Sequence, residues 1–135
     1  MHTHNSTICP PKSMVWTGRV MSTLCILFFM FDGIIKLINI KPVMDACIEL
    51  GIPQTAIFGI GITLLTCTVL YAIPQTSILG AILLTGYLGG AIMTHVRIAG
   101  GPVFPIIFAS LFGVLVWVGL FLREFRLHAL IPLRR

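Results

Sequence analysis

Four ionisable side chains stand out because this chain carries so few. Asp32 and Lys36 lie four residues apart in FDGIIKL, and His95 and Arg97 close the long apolar run that ends in THVR. A carboxylate and an ammonium at i and i+4 share one side of a helix. They form either an ion pair that sets helix rotation or a pair that handles a proton or a ligand. Asp32 falls about 9 Å before the end of its predicted helix, and a charge at such a depth in a membrane costs on the order of 3 kcal/mol. Lys36, one turn on, is placed to partner it and to extend toward the interface.

No catalytic set accompanies these groups. The chain lacks Ser-His-Asp, HExxH, phosphate-loop and dinucleotide patterns, so no catalytic residue is expected. One His and one Asp fall short of the three protein ligands that a stable metal site normally has, so no metal is expected either. Cys9, Cys25, Cys47 and Cys67 form no CxxC pair. Cys25 and Cys67 fall inside predicted spans, where a free thiol behaves as a small hydrophobe. His2 and His4 sit in a polar tail and are expected to be solvated.

The elements that position the four groups are hydrophobic rods. The chain is 57% hydrophobic and only 10% charged, against roughly 25% charged in an ordinary soluble domain. No charge falls between Glu49 and Arg97, or between Arg97 and Arg123. Water would leave that apolar surface uncovered, so the bilayer is the expected solvent. The net charge of +5 comes from basic residues scattered around the spans rather than from a basic face, which argues against nucleic acid as a partner.

The expected fold is all-α, an integral membrane four-helix bundle with short loops and one short interfacial helix. Residues 1–13 read as a disordered tail with Pro10-Pro11, and 14–135 as one domain. No small-residue cleavage site follows the first apolar run, so it reads as an uncleaved span. The spans fall at about 15–38, 54–73, 77–96 and 103–122. Between the first two, KPVMDACIEL places Pro42 at a first helical turn and Gly51 just past the end, with Asp45 and Glu49 on one face. In span two, Gly59, Thr63, Thr66 and Cys67 suggest a small packing stripe. PQTS at 74–77 is too short for anything but an antiparallel hairpin, and Thr76 or Ser77 is expected to cap the next helix.

Span three, SILGAILLTGYLGGAIMTHVR, carries Gly86, Gly89 and Gly90. Their spacing predicts a bare face against which the other helices pack. On an ideal helix Arg97 aligns with Gly86 and Gly90, whereas His95 points nearly opposite. Of the two, Arg97 rather than His95 is therefore expected to meet Asp32. Ser110 and Gly113 offer span four a small contact face. Arg123 to Arg135 holds four arginines among leucines, as a segment resting on anionic lipid would.

An even number of spans puts both termini on one side. That side holds Lys12, Arg19, Arg123, Arg126, Arg134 and Arg135, against Lys36, Lys41 and Arg97 opposite, which predicts cytoplasmic termini. Asp32, Lys36, His95 and Arg97 then gather near the other face as a polar cluster. His95 and His128 fall on opposite sides, so they cannot share a haem.

FDGIIKL, LGIP at 50–53, IPQTSILGAILLTGYLGGAIMTHVR at 73–97, the Gly-Pro-hydrophobic-Pro of 101–105 and the closing LREFRLHALIPLRR together resemble the DoxX-like family of small four-helix bacterial membrane proteins. The resemblance covers about residues 20–135. It implies a protein of the bacterial inner membrane, and a non-catalytic subunit or accessory component of a quinone-linked redox assembly, since the family takes its name from a small subunit associated with a quinol oxidase. Quinone is implied as a cofactor by the resemblance alone. The expected partners are the bilayer and either a second copy or redox subunits. The alternative is a small proton- or cation-coupled transporter using Asp32.

Overall fold

The computed structural model describes residues 11–98 and 101–130. The expected tail therefore lies almost wholly outside the described residues, as do His2, His4, Cys9, Arg134 and Arg135. Six helices follow in order: α1 (Lys12–Ile38), α2 (Lys41–Glu49), α3 (Gln54–Ala72), α4 (Ser77–Val96), α5 (Phe104–Arg123) and α6 (Phe125–Leu130). Among the described residues there is no strand. α1, α3, α4 and α5 are long and apolar enough to cross a membrane. Leu24, Phe31, Ile82, Phe104 and Leu111 lie more than half exposed on their outer faces, as helices solvated by lipid require.

Local chemistry sets the boundaries. α1 starts at Lys12 rather than 15, because Pro11 precedes it in extended geometry and accepts from the Met14 amide. It stops at Asn39, whose left-handed backbone (φ 57°) turns the chain into α2. Gly51 takes the other positive φ, 74°, just past α2. The hairpin between α3 and α4 differs from expectation in one detail. Neither Thr76 nor Ser77 caps α4 through its side chain. Their hydroxyls donate backward to the carbonyls of Leu70 and Pro74, at 2.8 and 3.1 Å, where Pro74 leaves the end of α3 short of amide donors.

The four long helices stand in a square in which α1 and α4 occupy opposite corners. α1 packs on α3 and α5, and α4 packs on the same two. No Cα atoms of α1 and α4 approach within 8 Å among the described residues. Span three is therefore not the hub expected of it. A Cβ on Gly86, Gly89 or Gly90 would meet no described atom within 4 Å, so these glycines hold no helix contact among the described residues of the chain. The close approaches lie at other glycines. A Cβ on Gly80 would sit 2.2 Å from the Tyr71 amide nitrogen, and one on Gly61 3.2 Å from the Gly33 carbonyl oxygen. One on Gly18 would sit 3.0 Å from the Gly119 carbonyl oxygen. The expected stripe on α3 also fails: Gly59, Thr63 and Thr66 are exposed, their hydroxyls returned to carbonyls four residues back, and only Cys67 is buried. On α5, a Cβ on Gly113 would lie 3.7 Å from Leu88 Cδ1, so this glycine does face α4, whereas Ser110 is exposed.

A polar strut ties the α6 end together. The buried Tyr71 hydroxyl donates to the Val116 carbonyl at 2.9 Å, and Ser22 Oγ lies 3.0 Å from the Tyr71 hydroxyl oxygen, joining α1, α3 and α5. Arg123 does not reach outward to lipid. Its Nη2 donates to the Tyr71 carbonyl at 2.7 Å and its guanidinium lies 4.9 Å from the Tyr71 ring centre. α6 folds back so that Leu127 is buried and His128 stacks on Phe121.

Candidate functional site: a cavity at the α2 end

The diagonal placement of α1 and α4 leaves room between them, and the α2 half of that room is empty. A cavity of about 570 Å³ lies there, within the range of small-molecule sites. α1 contributes Phe28, Phe29, Asp32 and Lys36, one stripe at four-residue spacing. α4 contributes Tyr87, Ala91, Thr94 and His95, and α5 contributes Pro105, Phe108 and Phe112. Cys47 of α2, with Leu50 and Ile52 from the turn after it, forms the roof.

Two of the ionisable groups of this cavity pair with each other. Lys36 Nζ donates to Asp32 Oδ2 as an ion pair along α1, with the lysine 13% and the aspartate 35% exposed. This is the structural pairing that the i, i+4 spacing allows. The expected Asp32–Arg97 pair does not form. Arg97 follows the last residue of α4, its guanidinium is exposed, and Nη2 lies 3.5 Å from the Leu50 carbonyl oxygen. The reason is geometric: α1 and α4 are diagonal, and Lys36 satisfies Asp32 from a single turn away. Of the four residues expected to cluster, Asp32, Lys36 and His95 share the cavity, and Arg97 does not line it.

His95 reaches the cavity from the last turn of α4. Its Nδ1 lies 2.8 Å from the Ala91 carbonyl oxygen. A carbonyl only accepts, so Nδ1 carries the hydrogen and the neutral ring offers Nε2 as an acceptor. Cys47 is the one cavity group outside the long helices with a displaced pKa. Burial pushes its thiol up, Lys36 pulls the other way, and Asp32 adds to the rise. Among the described residues no three His, Cys, Asp or Glu side chains gather as a metal site would require.

An aromatic wall from α1 and α5 lines one side of the cavity. Phe28 stacks on Phe112 with ring centres 4.3 Å apart, Phe108 lies 5.3 Å from Phe28 and 4.8 Å from Phe112, and Phe29 meets Phe112 edge-on at 5.5 Å. These spacings are those of aromatic pairs that hold one another rigid. Tyr87, Thr94 and the phenylalanines were missed by sequence reasoning. The signal that finds them is periodicity: Tyr87, Ala91, Thr94 and His95 repeat at three and four, and Phe104, Phe108 and Phe112 at four.

The sequence model of the DoxX-like family matches residues 20–119. The chain belongs to the DoxX-like family. The match runs from α1 through most of α5, and so contains every element that lines the cavity. No curated protein and no solved structure matches the chain. The protein is thus a DoxX-like multi-pass membrane protein, with four long apolar helices that fit a four-helix membrane bundle.

Proposed function

We propose that this DoxX-like protein is a non-catalytic subunit or accessory component of a quinone-linked membrane redox assembly, in which it holds a lipid-soluble ring compound of the quinone class. The observation that carries this reading is the two-ended cavity. Phe108, four residues into α5, offers a flat ring an aromatic surface beside the polar end, and Phe28 and Phe112 continue that wall toward the apolar end. Lys36 keeps donor capacity beyond its bond to Asp32, since an ammonium has three hydrogens, and a quinone carbonyl accepts such a bond. The family resemblance supplies the redox context.

We infer the bacterial inner membrane for this protein from the family resemblance, and cytoplasmic termini from the distribution of basic residues. Its partner is then a redox subunit or a second copy of itself. The test is binding in lipid nanodiscs. A short-tailed benzoquinone should bind saturably at one per chain, and Lys36→Met should weaken it about tenfold, the loss of one charge-assisted hydrogen bond. Uptake no greater than that of empty nanodiscs would reject the reading.

Transport coupled to Asp32 is the second reading, supported by the position of that carboxylate in the cavity wall. The pairing with Lys36 weighs against it, because a coupling carboxylate must release its partner in each cycle. Proton-driven flux in proteoliposomes that vanishes in Asp32→Asn would establish it, and unchanged flux would end it.

A further inference from the structure

The cavity runs along the bundle, and its two ends face different surroundings. Phe28 and Lys36 on α1 are eight residues apart, and Gly86 and His95 on α4 are nine apart, so the lining spans about 12–14 Å. Asp32, Lys36 and His95 mark the α2 end, which Cys47, Leu50 and Ile52 roof over. Phe28, Phe112 and Gly86 mark the other end.

Gly86 and Gly90 have an unusual double position. Both line the cavity, yet both are exposed, and a Cβ on either would meet no described atom within 4 Å. A residue that borders an interior space while facing outward marks where that space emerges. Gly86 is the tenth residue of the 20-residue α4, so the opening lies near the middle of the span, at the depth of acyl chains. Ile82, Leu83 and Met93, all exposed on α4, extend the apolar surface around it. Side chains at 86 and 90 would narrow this passage, and glycine leaves it wide. The glycines of span three therefore have a physical role other than packing.

We propose that the cavity is loaded sideways from the bilayer between these glycines, and that its ligand is a single-tailed lipid. The polar ring head lies at Asp32, Lys36 and His95, and the apolar tail leaves the protein across Gly86 and Gly90. This rests on the reading of the cavity as a quinone-class site and adds to it the route of entry and the place of the tail. The polarity gradient runs the way the proposal needs, with hydrogen-bonding groups under the roof and the exit reaching from the level of Asp32, at Gly90, to the apolar end, at Gly86.

The test compares two probes, a tail-less dimethoxybenzoquinone and its analogue with four isoprene units, in nanodiscs holding the full chain. Gly86→Phe with Gly90→Phe should weaken the long-tailed probe at least tenfold more than the tail-less one. Gly89→Phe is the control, because Gly89 is exposed on the same helix but does not line the cavity. Equal binding of the long probe by all three proteins overturns the side entrance while leaving the site itself standing. Failure of wild type to bind either probe removes the site and the entrance together. A third measurement needs no substitution: a photoreactive group on the second isoprene unit should label α4 between Leu83 and Met93. Labelling confined to α1 or α2 would overturn the proposal.

Discussion

Lys36 neutralises Asp32 from one helical turn away within the wall of the cavity, so α1 carries its own counter-charge and borrows none from α4. The pair is part of the cavity floor plan as well as of the helix. Its coupling is measurable. Lys36→Met strands a carboxylate in the membrane and should cost about 2–3 kcal/mol. The double variant Asp32→Asn, Lys36→Met should cost less than Lys36→Met alone, because no charge is then left without a partner. Unfolding midpoints in mixed micelles give both values. Strict additivity would mean that the two side chains do not interact.

The glycines should divide into two classes. At Gly80 an added methyl meets the Tyr71 backbone, which has no freedom to yield, so Gly80→Ala should destabilise by about 3 kcal/mol. Gly90→Leu, on the face once expected to bear the tightest contact, meets no described neighbour and should change stability by less than about 0.5 kcal/mol. Thermal unfolding in detergent tests the pair. A reversed order would restore span three as the packing hub.

Tyr71→Phe removes the donor to the Val116 carbonyl and the partner of Ser22 Oγ in a fully buried position. The expected loss is about 1–2 kcal/mol. Ser22→Ala should cost less, since the tyrosine keeps its carbonyl. Combined, the two should cost less than their sum. A double-mutant cycle on unfolding free energy checks this.

The Cys47 thiol reports the charges of the cavity. Because its pKa is raised, alkylation by N-ethylmaleimide should be slow at neutral pH and should still be accelerating above the pH at which a free cysteine has levelled off. Lys36→Met removes the charge that opposes this rise and should slow the reaction further. Asp32→Asn removes a charge that contributes to it and should speed the reaction. Peptide mass spectrometry locates the label among the cysteines. Changes of the same sign in both variants would contradict the geometry.

What the sequence alone determined is everything that follows from solvent and period. Long uncharged runs of lipid-compatible residues dictate four spans. Pro42, Gly51 and Pro53 mark out a short helix between turns, and Asp32 with Lys36 at i, i+4 makes their pairing available. These are local properties, readable wherever a single helix contains both partners. Which helices touch is a different kind of fact. Gly80 and Gly86 look alike along the chain, yet one is pressed against Tyr71 and the other borders open space. Arg97 was within reach of Asp32 by depth but not by azimuth, because α1 and α4 stand at opposite corners. Depth along a helix is written in residue number. The order of helices around the bundle is set by the sum of many close contacts, and that sum, here dominated by Gly18, Gly33, Gly61 and Gly80, is what opens a cavity between the two helices that never meet.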